Sequence, residues 1–355
     1  MKLGIIGLPQ AGKTTLYNAL TGGDKPVTMS AGRIGVNTAV VDVPDLRVDR
    51  LAEIYKPKKT TYAKVTYADI TGLEGKAASA GLSGQLVNEL AAMEGFLHVV
   101  RCFEDDNVPH VAEHIDPGRD IGSMDGELLL NDLLIVERKL ERLEEERSKG
   151  GRSKEDMARE RAFFERLREH LGDDQPLRSM ALSTDEQKTA ASYGFLTVKP
   201  VLVVLNLGED QAEPDVSAIT PYAEVVGVRG ALEMEIAQLP PEEAAVFLKE
   251  FGIEEPSLHR MIRLSYDLLG LQSFFSVGED EVRAWTVRRG ATAPEAAGII
   301  HTDLQKGFIR AEIVPFAVLN ELESFAAARE AGKLRVEGRD YIVQEGEVMH
   351  VRFNV

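Results

Sequence analysis

Residues Gly7-Leu8-Pro9-Gln10-Ala11-Gly12-Lys13-Thr14 decide the fold. They match G-x-x-x-x-G-K-[ST] and lie between an apolar run, Leu3–Ile6, and a helix-like stretch, Thr14–Leu20. Gly7 and Gly12 let the main chain turn its N–H groups inward around phosphate oxygens. Lys13 brings positive charge to the β- and γ-phosphates, and Thr14 offers its hydroxyl to Mg²⁺. Leu8, Pro9, Gln10 and Ala11 supply the cradle's main chain, and Thr15 continues into a helix whose positive end faces the anion. The stretch predicts a nucleoside triphosphate site, with ATP or GTP as substrate and Mg²⁺ as cofactor.

Short apolar runs recur downstream at Val40–Val43, Ala63–Ala68, Phe96–Cys102, Pro200–Leu205 and Ala223–Val228. Alternating with helix-length segments, they predict an α/β fold: a parallel-rich sheet with helices on both faces. Asp69-Ile70-Thr71-Gly72 follows one of these runs. In this class of NTPase an acidic residue there holds Mg²⁺ through water, and the glycine N–H senses the γ-phosphate. Asp69 therefore joins Thr14 as a metal candidate, and Gly72 is a candidate catalytic residue. Leu73 stands where many GTPases carry a Gln that orients the attacking water. A leucine cannot hydrogen-bond water, so turnover is slow or a catalytic group comes from elsewhere.

After PVLVVL, Asn206-Leu207-Gly208-Glu209 occupies the place of the guanine-reading N-K-x-D motif. Leu207 replaces the lysine, and Glu209 is one methylene longer than Asp. The pocket is no longer tuned to guanine, and adenine is admitted. Gly230, Ala231 and Leu232 follow the last strand, where such folds close over the base. They complete a base-binding set of Asn206, Leu207, Glu209, Gly230, Ala231 and Leu232.

The region from Glu127 to Leu171 is charged and helical. Leu129, Leu133, Val136, Leu140 and Leu143 fall at coiled-coil spacing, Ser148–Ser153 interrupts, and Met157, Phe164, Leu167 and Leu171 mark a second amphipathic arm. It is either an ordinary surface helix pair or an arm that grips a partner. From Phe274 onward the texture turns to strands, an α+β segment. The expected organisation is an NTPase domain over 1–270, with a helical hairpin inserted at 122–192, and a smaller domain over 271–355. In the last segment Arg283, Arg288, Arg289, Lys306, Arg310 and Arg352 interleave with Trp285 and Phe308. This is either a basic, stacking face for RNA or a solvated face around a core Trp.

Across 355 residues Lys and Arg number 41 against 58 Asp and Glu, a net charge of −17. A general electrostatic footprint for nucleic acid is excluded and DNA is not an expected partner, although a local basic patch is still allowed. The one cysteine, Cys102, excludes an internal disulfide and a multi-Cys zinc site, and reads as a buried structural thiol. The opening MKLGIIGLPQAGKTT turns polar too soon for a signal peptide, and no apolar run approaches the roughly 18 residues of a membrane span. The expected compartment is the cytoplasm.

GLPQAGKT, DITGLEGKA, HVVRCFEDDN, NLGE and VRAWTVRRGATAPEAAGIIHTDLQKGFIRAE together resemble the YchF/Obg-like ATPases, translation-factor-class P-loop NTPases. The resemblance runs along essentially the whole chain, to GRDYIVQEGEVMHVRFNV. It implies a G-domain interrupted by a helical coiled-coil arm and followed by a TGS domain of ubiquitin-like, β-grasp fold. It also implies slow ATP hydrolysis with GTP secondary, association with the ribosome or its RNA, and a link to stress responses. The family's hydrophobic residue in place of Gln maps onto Leu73, and its catalytic histidine onto His110. By position alone His110 reads as a surface histidine on the loop before a helix. The chain departs from the family in the switch segment, Thr28–Asn37, where Arg33 takes the place of the expected Mg²⁺-reaching threonine. An Obg-class GTPase and a nucleotide-gated ribosome adaptor with little turnover are the alternatives.

Overall fold

The apolar runs form strands of one sheet, and the charged seam forms two long helices. The computed structural model describes residues 2–23, 35–71, 82–108, 110, 114–149, 153–250, 253 and 255–354. The elements of the first half are β1 (Lys2–Ile6), α1 (Lys13–Thr21), β2 (Gly35–Asp42), α2 (Leu46–Tyr55), β3 (Lys59–Thr61), β4 (Lys64–Thr71), α3 (Gly84–Ala91), β5 (Gly95–Arg101), α4 (Pro117–Lys149), α5 (Lys154–Gly172) and α6 (Thr184–Ser192). Then come β6 (Val201–Asn206), β7 (Glu224–Val228), α7 (Gly230–Gln238), α8 (Pro241–Glu250), α9 (Ser257–Leu268), β8 (Leu271–Ser276) and β9 (Glu281–Arg288). The chain ends with α10 (Ala293–Ile300), α11 (Thr302–Lys306), β10 (Phe308–Pro315), α12 (Phe316–Leu322), α13 (Phe325–Glu330), β11 (Arg335–Glu337) and β12 (Glu347–Phe353). No helix among the described residues is long and apolar enough to cross a membrane. The chain divides into two compact units, Met1–Ala39 with Thr66–Met261, and Val40–Val65 with Ile262–Val355.

The first unit is built on a sheet of order β2-β4-β1-β5-β6-β7, in which β1 pairs in parallel with β4 and β5, and β5–β6 and β6–β7 are also parallel. Every residue of β5 and β6 is buried, which is why FLHVVR and VLVVLN read as unbroken apolar runs. Chain order reverses at β1, whose neighbours β4 and β5 both come later, so a crevice opens at its carboxyl end. The phosphate loop leaves β1 at that point.

The hairpin is a packed pair. Leu129, Val136 and Leu143 of α4 and Phe163, Phe164, Leu167 and Leu171 of α5 are all at most 8% exposed, with Leu133 and Leu140 partly buried beside them. Heptad spacing on α4 supplied the seam, and burying it is what stabilises two otherwise polar helices. Asp132, fully buried, ties α4 to the entry of β6, accepting from Leu196 N (2.9 Å), Thr197 N (2.7 Å) and Thr197 Oγ1 (2.7 Å). Burial pushes its carboxyl pKa up, and these donors offset part of that rise.

The second unit is a mixed sheet of order β11-β10-β12-β8-β9-β3. One face packs Phe274, Val287, Ile313 and Met349 against Ala293, Ala296 and Ala297 of α10. Here the structure differs from the sequence reading in three ways. Residues 40–65 belong to this unit rather than to the first, because β3 pairs with β9, Lys59 opposite Glu281, and Thr61 Oγ1 donates to Glu281 at 2.6 Å. The strands of the C-terminal segment begin at Leu271, with β8, rather than at Phe274. The expected basic, stacking face is also not one face. Strand alternation puts Arg283, Trp285 and Val287 toward α10, with the Arg283 guanidinium 4.0 Å from the Trp285 ring centroid. Arg310 and Arg352 lie on the opposite face, and Phe308 is in the core at 5% exposure.

Candidate nucleotide site

The phosphate loop is held open by close approaches that only glycine permits. Gly7 has φ 146°, and a Cβ there would stand 2.3 Å from the Val99 carbonyl oxygen of β5. Gly12 has φ 95°, and its Cβ would stand 2.1 Å from Asn206 Nδ2. Gln10, between them, adopts φ 62°. Lys13 is 5% exposed, and its Nζ donates to the carbonyl oxygens of Gly7 (3.1 Å) and Leu8 (2.8 Å). Its charge is thus already inside the loop. Among the described residues no side chain caps α1 and no acidic residue lies in its first turn, so neither offsets the helix's positive end, which faces the loop. Leu8, Pro9, Thr14 and Thr15 are half-buried around this mouth, and Ala11 is buried.

Asp69 is 2% exposed on β4, with its Cα paired to Ile5 one residue before the end of β1. The Thr14 hydroxyl and the Asp69 carboxylate are hard oxygen donors, the set that fits Mg²⁺, an ion that keeps several waters and takes further oxygens from phosphates. No group of three or more His, Cys, Asp or Glu that could hold a metal ion occurs among the described residues. Gly72, Leu73 and Arg33 lie outside the described residues.

Asn206 joins the phosphate end to the base end. Its Nδ2 donates to the Ala11 carbonyl (3.0 Å) and its Oδ1 accepts from Gly230 N (3.1 Å), both buried. A Cβ on Gly230 would come within 2.8 Å of that Oδ1, so Gly12 and Gly230 are both required by the same amide. Leu207 turns into the core at 6% exposure, while its N–H donates to the Val228 carbonyl (2.9 Å). Beside this loop lies an open groove of about 600 Å³, lined by Glu209, Gln211, Cys102, Glu104, Ile115 and Pro117 among others. Of the six base-binding candidates only Glu209 lines it. Asn206 and Gly230 stand behind as a clamp, and Ala231 and Leu232 are exposed and half-buried on the first turn of α7.

Sequence reasoning missed two supports of this loop. Arg229 Nε donates to the Glu209 carbonyl at 2.6 Å, bracing the loop from the end of β7. Phe103 borders both loops, 3.9 Å from the Cβ positions of Gly12 and Gly208, with the Arg101 guanidinium 4.6 Å from its ring. An aromatic residue just after an apolar strand was the available signal.

His110 is not a surface residue. Its side chain is 7% exposed, and Nε2 lies 3.0 Å from Asp120 Oδ2 in the first turn of α4. The other oxygen of Asp120 accepts from Arg119 Nε (3.0 Å) and Nη2 (2.8 Å). Asp120 was not singled out from sequence. Cys102 is 2% exposed, and burial, then the charges of Asp120 and Glu213, push its thiol up to about 12. It is a protonated wall of the groove. His98, fully buried on β5, is pushed down to about 3 by desolvation, then by the positive charges of Arg178 and Lys13.

The chain is similar to known proteins over nearly its whole length. Residues 2–132 match the family model described as 50S ribosome-binding GTPase, and residues 271–354 match that of the YchF-GTPase C-terminal domain, described as Protein of unknown function (DUF933). The chain is 44% identical to a protein of Pasteurella multocida named Ribosome-binding ATPase YchF, over 100% of this chain and 99% of that one. It is 41% identical to the protein of the same name from Bacillus subtilis, over 99% of each. A solved structure, the Schizosaccharomyces pombe YchF GTPase, superposes with a TM-score of 0.87 at 32% identity, covering 99% of this chain and 97% of that one.

Proposed function

This chain belongs to the YchF family, and from that footing we propose that it is a slow, Mg²⁺-dependent ATPase, with GTP a secondary substrate, that works in association with the ribosome. The observation that carries the nucleotide reading is the loop Gly7–Thr14, kept open by Val99 and Asn206 and backed by an uncapped helix N-terminus. Lys13 would exchange its two carbonyl bonds for phosphate oxygens, gaining charge-assisted contacts for neutral ones. Thr14 and Asp69 would hold Mg²⁺, which when bound neutralises charge on the phosphoryl oxygens. Gly72 senses the γ-phosphate and His110 positions the attacking water, with Asp120 fixing the orientation of its ring. Leu73 in place of a water-orienting Gln makes turnover slow.

ATP is favoured over GTP because Leu207 is buried in the core and, of the motif's side chains, only that of Glu209 lines the groove, beside Gly208. The 122–192 insertion is the arm that engages the partner, and the working compartment is the cytoplasm. The test is an equilibrium titration of ATP and of GTP with Mg²⁺, on the wild type and on Glu209→Ala. ATP is expected to bind several-fold tighter, with the preference changed in the variant. A clear GTP preference would replace this reading with that of an Obg-class GTPase, which the carboxylate retained at Glu209 favours. Absence of phosphate release, with ribosomes added, would instead make the chain a nucleotide-gated adaptor.

A further inference from the structure

The charge of this acidic chain is unevenly divided. Residues 40–65 and 262–355 together hold 17 Lys and Arg against 18 Asp and Glu, so nearly all of the net −17 resides in the other unit. Within the nearly neutral unit one stretch of sheet breaks a pairing rule. Arg310 of β10 stands directly opposite Arg352 of β12. Like charges facing each other across an antiparallel pair are destabilising. On the same face Glu312 stands opposite His350.

Glu312 is 4% exposed, and two guanidiniums and an imidazole converge on it. Its Oε1 accepts from Arg329 Nη2 at 2.7 Å and also from Arg352, and its Oε2 lies 3.4 Å from His350 Nδ1. The side chains of Arg329, Arg352 and His350 remain 58%, 55% and 71% exposed. The Arg310 side chain is exposed and makes no hydrogen bond or ion pair among the described residues. A simple structural pair needs one guanidinium per carboxylate. Here one buried carboxylate orients two guanidiniums toward solvent, and a third, unpaired, lies beside them. Each guanidinium carries five N–H donors in a rigid fork, most of them unused.

We propose that this face, with Arg310, Arg329 and Arg352 organised on Glu312, is the chain's RNA-docking surface and takes the phosphate backbone of ribosomal RNA. The inference rests on the ribosome-association reading and names a second surface, in addition to the 122–192 arm, that serves it. Closely spaced arginines match a phosphate backbone, in which charge repeats at every residue, better than isolated carboxylates of a protein. The contact is to phosphate rather than to bases, because the aromatic pair of these strands, Phe308 and Phe353, alternates onto the other face, with Phe308 in the core.

The test is binding of the full chain to purified ribosomes and, separately, to protein-free ribosomal RNA across a KCl series. The variants are Arg310→Gln, Arg310→Gln with Arg352→Gln, and Lys58→Gln as an exposed control at the other edge of the sheet. Arg310 has no partner to lose, so its substitution leaves folding and ribosome-free ATP turnover unchanged. The single variant is expected to bind both targets several-fold more weakly, and the double variant about tenfold, with the salt slope falling by roughly one per lost phosphate contact. Lys58→Gln is expected to bind as wild type. Unchanged binding by the double variant would overturn the inference, as would weakening on ribosomes but not on naked RNA, which would assign the face to a ribosomal protein. A wild type that binds no ribosomes would remove the ribosome reading itself, and this inference with it.

Discussion

Two buried side chains of the first unit carry consequences beyond their size. Asn206 satisfies the Ala11 carbonyl and the Gly230 N–H at once, so Asn206→Ala leaves two buried polar groups without partners. The expected cost is about 1–3 kcal/mol in urea denaturation, with weaker ATP binding because the loop around Gly12 loses its brace. Asn206→Asp is expected to bind ATP more weakly still, since a carboxylate would then face the Ala11 carbonyl oxygen. His98 works through protons. Its folded pKa of about 3 lies below the ordinary 6.5, so between those values the unfolded chain binds the extra proton and stability rises with pH. Stability is therefore lost as pH falls, by at most about 2 kcal/mol from this group between pH 7 and pH 5. Denaturation at the two pH values, compared with His98→Gln, isolates that share; an equal loss in the variant would place it elsewhere.

At the scale of elements, the hairpin is the plainest case of pattern becoming packing. Phe164 is fully buried between the two long helices, with Tyr193 edge-on at 4.9 Å. Phe164→Ala is expected to cost about 3–5 kcal/mol, read as a lower urea midpoint with ATP affinity kept. The seam was legible because heptad spacing is a property of one continuous segment. The phosphate loop was legible for the same reason, since eight adjacent residues carry its chemistry. The clamp on that loop was not, because Asn206 and Ala11 are 195 positions apart and nothing in NLGE announces the second partner. Leu207 was read by its motif position, whereas the adjoining core decided where its side chain goes. By position alone His110 is an exposed loop residue, yet its side chain is buried and pairs with Asp120, ten positions on. In the C-terminal sheet the alternation of Arg and apolar residues was visible strand by strand. Which cations share a face depends on the pairing of β10 with β12, and the strand sequences do not state it.

At the scale of the whole molecule, two units with separate cores predict two responses to a ligand that binds one of them. The phosphate loop, the base clamp and both long helices, of 33 and 19 residues, belong to the first unit. The chain's single tryptophan, Trp285, belongs to the second, half-buried against its core. Residues 40–65 lie before much of the first unit in the chain and still fold with the second, through a β3 of only three polar residues that no hydrophobic period marks. Far-UV dichroism therefore reports mainly on the first unit, and tryptophan fluorescence on the second. Saturating ATP with Mg²⁺, at a hundred times its Kd, stabilises the unit that binds it by about 2.7 kcal/mol. The dichroism transition in urea is expected to move to higher denaturant by that increment, while the Trp285 transition moves much less. Equal shifts in both signals would mean that the two units unfold as one cooperative body, so that nucleotide bound at Gly7–Thr14 stabilises the sheet carrying Arg310 and Arg352 as fully as its own.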